Sequence, residues 1–137
     1  MNTENCLFCK IVRGEIPSKK IYEDDATVAF LDVSPAALGH TLVIPKAHFE
    51  NIFDVDEATL YKLAGAVKKI AKNIKSHLNC DIMLLQNNGR HSGQIVDHAH
   101  FHVIPRKEGD GIRLSHARMQ LSSEELEQIR RRLSMMK

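Results

Sequence analysis

The sequence predicts an α+β fold: a mainly antiparallel five-stranded sheet with one long helix and a carboxyl-terminal helix. Three observations predict it. Short strand-like runs bounded by turn residues recur at 20–23, 27–31, 40–45, 81–86 and around 98–104. From Asp54 or Asp56 to about Leu78 the apolar residues change to a helical period. A further helix start is written at Ser122, three residues before Glu125.

In chain order, Lys10 to Gly14 forms a short helical turn, stopped by Gly14 and Pro17. Strands Lys20–Glu23 and Thr27–Leu31 follow, joined by the acidic turn Asp24-Asp25, and His40–Pro45 makes the next strand. In the long helix Leu60, Leu63, Ala64, Val67, Ile70, Ala71, Ile74 and Leu78 lie three or four apart, which makes one buried stripe. Asp54 with Glu57 has the spacing of a capping box, and lysines crowd the carboxyl-terminal half, where the helix dipole favours cations. Asp81–Gln86 is a strand, and the glycine-containing loop Asn87–Gln94 leads from it into the last strand. Residues Lys107–Ala117 read as a flap in which His116 could reach a substrate. The final helix, Ser123 to about Leu133, has a Leu121–Leu126 staple and buries Leu126, Ile129 and Leu133. The whole of 1–137 reads as one domain, with 107–137 as its appended flap and helix.

Composition limits the function. Nineteen basic and 17 acidic residues leave a formal charge of +2, too small for a surface that coats nucleic acid. No apolar run reaches the ~20 residues needed to cross a bilayer. The start, Met-Asn-Thr-Glu-Asn, has neither the basic nor the apolar region of a secretion signal, so a cytoplasmic location is expected. Three cysteines in a reducing compartment argue against a disulfide framework.

The chemistry concentrates at Asp97-His-Ala-His-Phe-His-Val-Ile-Pro-Arg106. His98, His100 and His102 fall on alternate residues, so on a strand they share one face while Ala99, Phe101 and Val103 pack inward as the buried half. A helix would scatter them, and Pro105 would break it. Alternate strand residues stand about 6.5–7 Å apart, too far for one metal to take all three imidazoles. The row suits nucleophilic catalysis better: a neutral imidazole, with an ordinary pKa of ~6.5, keeps a lone pair for phosphorus near neutral pH. A zinc hydrolase using two of the row and a binding module without turnover are the rival readings. Cys6-Leu-Phe-Cys9 is ambiguous by itself: a redox pair, half a zinc site, or an accident of sequence.

His98-Ala-His-Phe-His-Val-Ile104 resembles the signature of the histidine triad family of nucleotide hydrolases and transferases. Glu15-Ile-Pro, Phe30-Leu-Asp-Val-Ser-Pro, Gly39-His-Thr-Leu-Val-Ile-Pro-Lys, Asn87-Asn-Gly and Gly93-Gln94 resemble its other landmarks, in the family's order. The amino-terminal Cys-x-x-Cys is similar to its bacterial branch. The resemblance implies a histidine-triad-like fold, a homodimer, and hydrolysis at the α-phosphorus of purine nucleotide derivatives such as phosphoramidates. Dinucleoside polyphosphates are the alternative substrate. It casts His100 as the nucleophile, with His102 and His98 beside it. Asp32 is expected on the ribose, His40 near the phosphate, and Asn87 and Gln94 as neutral donors to it. Phe8, Ile11 and Ile16 are core residues that also line a base pocket in the family. Cys6, Cys9, His48 and His98 are similar to a closed structural zinc site, a donor set that suits zinc; no catalytic cofactor is implied. One departure stands out: Ile95 follows Gln94, where family members often carry serine, threonine or an acidic residue.

Overall fold

A computed structural model describes residues 3–114 and 117–136. Five strands form one sheet: β1 (Lys20–Glu23), β2 (Thr27–Leu31), β3 (Thr41–Pro45), β4 (Asp81–Gln86) and β5 (Phe101–Arg106). Their order is β1-β2-β3-β5-β4, every neighbouring pair antiparallel, which leaves β1 and β4 as the edges. Helices α1 (Leu7–Val12), α2 (Glu57–Leu78) and α3 (Ser123–Leu133) complete the elements. Among the described residues no helix is long and apolar enough to cross a membrane.

The sheet is covered on both faces. On one, Ala29, Val43 and Val103 meet Leu63, Ala66, Val67, Ile70 and Ile74 of α2. On the other, Val28, Phe30, Leu42 and Ile44 meet Cys6, Phe8, Cys9 and Ile11. Strand β3 is therefore buried along its whole length, and a strand clad on both sides loses the apolar–polar alternation of a half-exposed one.

Several boundaries differ from those expected, each for a local reason. Helix α1 starts at Leu7 and not at Lys10, because the Cys6 thiol caps it by accepting the Cys9 N–H at 3.3 Å. The cap of α2 is Asp56, whose carboxylate accepts the Thr59 N–H at 3.1 Å; the Asp54–Glu57 box does not form. The buried stripe of α2 runs through Leu63, Val67, Ile70 and Ile74 as expected, while Ala66 replaces the exposed Ala64. Strand β5 begins at Phe101, so His98 and His100 precede it; there the Ala99 N–H is spent on the Phe49 carbonyl at 2.7 Å. Lys107 to Ile112 is a braced turn: the Asp110 carboxylate takes Arg106 at 2.6 Å and the N–H groups of Lys107 and Ile112. His116 lies outside the described residues. The capping box of α3 forms as expected, but its apolar face is not buried: Leu126, Ile129 and Leu133 are 52%, 39% and 71% exposed. An apolar stripe states that a helix wants cover, and this chain alone does not provide it.

Candidate active site and metal centre

Strand pairing sets the direction of the histidines. Residues directly opposite in an antiparallel ladder share a face. His102 stands opposite Leu42 and therefore faces the α1 side, while Phe101 stands opposite Val43 and faces α2. The two-residue alternation carries His100 and His98 to the same side. That side is not a solvent face: His98 is fully buried and His100 is 6% exposed. Phe8 of α1 covers them, its ring 5.2 Å from that of His100 and 5.9 Å from that of His98, edge-on in both cases. The expected half-open row is thus an enclosed one, because α1 lies across it.

Hydrogen bonds assign the tautomers. A carbonyl oxygen only accepts, so His100 Nδ1, 2.7 Å from the His98 carbonyl, carries the proton and leaves Nε2 with a free lone pair. At the next ring the logic runs through His40. The Ala36 N–H donates to His40 Nδ1 at 3.0 Å, so a neutral His40 bears its proton on Nε2. That proton points at His102 Nδ1, 2.9 Å away, which commits the His102 proton to Nε2. A lone pair on one ring and an N–H on its neighbour, with ring centroids 4.9 Å apart, are thus placed side by side.

Burial keeps these rings neutral. Desolvation, with the neighbouring His100 and His40 adding to it, pushes His102 down to about 4. Desolvation outweighs the opposing pull of Asp32 at His40 and of the His98 carbonyl at His100, so both fall below the usual histidine value. Asp32 is half-buried; one oxygen accepts the Ser34 N–H at 2.8 Å and the other lies 3.6 Å from His40 Nε2. Asp32, His40 and His102 are close enough to share a metal. The tautomer chain opposes it, since a metal on His40 Nε2 would push a proton onto Nδ1, against the Ala36 N–H.

The loop residues are busier than the sequence suggests. Gln94, 2% exposed, accepts the Gly89 N–H at 2.8 Å and donates to the carbonyls of Glu50 at 2.7 Å and Val96 at 3.0 Å. Both its donors are consumed, so it shapes the loop and is not a free donor to an anion. Asn87 donates once, to the Ser92 carbonyl at 2.5 Å, and keeps a second N–H. Gly89 and Gly93, with φ of +89° and +98°, hold the backbone angles that this turn needs and side chains resist. Two contributors were not foreseen. Phe8 lies in the core as expected, but its packing against His100 depends on where α1 lands. Arg90 donates to the carbonyls of Gln94 at 2.6 Å and Ile95 at 3.0 Å and pairs with Asp97 at 2.9 Å, clamping the run into the triad. No motif in Arg-His-Ser-Gly signals this.

At the far end of the row Cys6, Cys9, His48 and His98 converge, their ligand atoms all within 4.8 Å of one another. Zinc bonds of ~2.3 Å to sulfur and ~2.0–2.1 Å to nitrogen put tetrahedral S···N neighbours about 3.5 Å apart. Here the Cys6–His98, Cys9–His98 and Cys9–His48 separations are 3.4, 3.6 and 3.2 Å. His98 turns Nδ1 to the sulfurs and gives its Nε2–H to the Pro45 carbonyl at 2.8 Å, the outer hydrogen bond that orients a metal-binding imidazole. Burial, then the neighbouring Cys6, raise the Cys9 thiol to about 11, so a metal entering here must displace protons. The four side chains fit zinc in donor type and spacing, and the Pro45 carbonyl holds His98 in the orientation that binding requires.

Comparison with known proteins follows the same lines. The HIT domain family profile matches residues 13–109. Adenosine 5'-monophosphoramidase HNT1 of Candida albicans is 43% identical over 109 residues, 76% of this chain and 72% of that protein. The crystal structure of a HIT family protein from Bacillus anthracis superposes with a TM-score of 0.88 at 41% identity, covering 96% of both chains. A zinc-bound histidine triad family protein from Mycobacterium smegmatis superposes at 0.77 with 36% identity over 85% of both chains.

Proposed function

The chain belongs to the HIT domain family, and from that premise we propose that it hydrolyses purine nucleoside phosphoramidates at the α-phosphorus through a nucleotidyl-histidine intermediate. The observation that carries this reading is the 2.7 Å bond from His100 Nδ1 to the His98 carbonyl, which leaves the Nε2 lone pair free on a ring that Phe8 packs against edge-on. The Candida relative, named for an amide of the same class, supports the substrate type.

In the reaction His100 Nε2 attacks phosphorus as the bond to the leaving amine breaks. The electron pair stays with the amine nitrogen, which takes its proton from water. Water or the hydroxide so formed then attacks the nucleotidyl-histidine, releasing the nucleoside monophosphate and the neutral imidazole, with one water consumed overall. Charge on the phosphoryl oxygens is met by the His102 Nε2–H and the remaining Asn87 N–H, since fixed donors supply much of the catalysis in such transfers. Asp32 offers its carboxylate to the ribose hydroxyls, and His40 acts through His102 as a positioning residue. Cys6, Cys9, His48 and His98 would hold one zinc ion, which ties the amino-terminal segment to the triad without entering the chemistry.

A homodimer belongs to the same reading. Edge strand β4 leaves one side unpaired, and Leu84, 48% exposed, borders an apolar groove against α2 with Ala71, Ile82 and Phe101. A second copy placed by a two-fold axis would pair the edges and fill both grooves. Three free thiols suit a cytoplasmic location. The test is His100→Ala: turnover should vanish while nucleotide affinity persists, and mass spectrometry of quenched wild type should find one nucleotidyl group on His100. Turnover in that variant refutes the reading.

A further inference from the structure

Between β3 and α2 the chain has no strand or helix of its own, so its backbone groups must find partners elsewhere. From Phe49 to Ile52 those partners come from the run that leads into the triad. The Ala99 N–H donates to the Phe49 carbonyl at 2.7 Å, Gln94 Nε2 to the Glu50 carbonyl at 2.7 Å, and the Ile52 N–H to Asn88 Oδ1 at 2.8 Å. The same segment carries His48 to the metal centre, its Nδ1 3.2 Å from the Cys9 sulfur.

Asn88 does more than close this bridge. It donates from Nδ2 to Gln86 Oε1 at 2.6 Å and accepts from Gln86 Nε2 at 3.0 Å, a reciprocal amide pair. Strand pairing gives that pair a direction. Gln86, the last residue of β4, stands opposite Phe101 and shares its α2 face, while Leu85 stands opposite His102 and shares the triad face. The ladder between β4 and β5 ends at Gln86, so pairing no longer enforces the alternation beyond it. The amide pair takes over: two side chains two residues apart, bonded to each other on one side of the chain, turn the residue between them to the other side. That residue is Asn87, which is kept on the face of His102 with its second N–H. The Asn88 carbonyl oxygen accepts from both Gln86 and Ile52, its full capacity, so the amide has a single orientation that satisfies its neighbours.

We propose that Asn88 is a positioning residue: by bonding Gln86 and the Ile52 N–H, it holds Asn87 on the triad face as a donor to the phosphoryl oxygens. The inference rests on the hydrolase reading above, in which that N–H meets the phosphate. Asn88 itself touches no substrate. Its truncation misplaces a donor and forfeits much of one hydrogen bond to a charged group, about tenfold in affinity or rate.

The test compares wild type, Asn88→Ala, Asn87→Ala and the double variant, with Gln86→Met as a second way to open the amide pair. Calorimetry gives the affinities for adenosine monophosphate and for adenosine, and adenosine 5'-phosphoramidate gives kcat. In Asn88→Ala the monophosphate-to-adenosine affinity ratio and kcat should each fall about tenfold, with adenosine affinity kept. Gln86→Met should lower both about threefold. In the Asn87→Ala background the Asn88 substitution should change neither, because the group it positions is gone. A purely structural asparagine would lower the unfolding midpoint alone. An intact ratio in Asn88→Ala, or one that falls equally in both backgrounds, therefore overturns the inference. Should Asn88→Ala not fold, an intact ratio in Gln86→Met overturns it just as well. A wild type without turnover whose affinity ratio still follows this pattern sinks the hydrolase and supports the role of Asn88; turnover with an unmoved ratio sinks Asn88 alone.

Discussion

Replacing His40 by Phe tests the tautomer chain directly. The ring is 6% exposed, and phenylalanine keeps a flat ring there while deleting both hydrogen bonds, the one accepted from Ala36 at 3.0 Å and the one donated to His102 at 2.9 Å. Two neutral hydrogen bonds at ~1 kcal/mol each set a stability loss of about 2 kcal/mol, or roughly 5–10 °C in the unfolding midpoint. The catalytic effect has two bounds. If only the preference for the His102 Nε2–H tautomer is weakened by ~1 kcal/mol, kcat drops about fivefold. If the donor is lost to the transition state altogether, the drop approaches the ~100-fold or more typical of a deleted oxyanion donor. KM should move little, since His40 acts through His102. The assay is single-turnover kinetics together with nitrogen-15 NMR of the histidine side chains, which reads the protonated nitrogen of each ring. A wild-type spectrum with the His102 proton on Nδ1, or a His40→Phe enzyme with undiminished kcat, refutes the reasoning.

Other expectations follow from the same geometry. His102 titrates at about 4 in the folded protein against an ordinary value near 6.5, so the unfolded chain takes the proton first. Stability is complete above ~6.5 and falls as the pH drops toward 4, by on the order of 3 kcal/mol. Denaturant midpoints at pH 7 and pH 4.5 should differ in wild type by more than in His102→Gln, and equal slopes count against it. The purified protein should carry one zinc per chain, lost in Cys9→Ser, and stripping it with a chelator should lower the midpoint by ~10 °C, for a ligand present at roughly a hundredfold over its Kd. Metal analysis that finds none, with no response to chelator, rejects the centre. Leu84→Lys on the β4 edge should convert dimer to monomer in sedimentation at micromolar concentration; a wild type that is already monomeric removes that interface.

The reach of sequence reasoning varied with the range of the interaction concerned. Strands 20–23, 27–31 and 81–86 stand at the predicted residues, because turn chemistry and short apolar runs are local. The long helix was legible from its stripe and its start from two suitable cap residues, Asp54 and Asp56, between which only geometry chooses. The triad was legible as a pattern. Its enclosure was not, because Phe8 is separated from His100 by most of the chain and nothing in either segment states that they meet.

The sequence by itself determined which candidate residues stand together along the backbone: three histidines on alternate positions, paired cysteines, and a glycine-bounded loop between two strands, all set by spacing. Only the tertiary structure decided how they act. It set the His40 ring against His102 and the Pro45 carbonyl against His98, consumed both Gln94 donors in the loop, and brought four metal-type ligands from three segments within 4.8 Å. The physical reason is that a strand's two-residue period settles direction locally, whereas desolvation and hydrogen-bond partnership depend on whatever surface arrives from elsewhere in the chain.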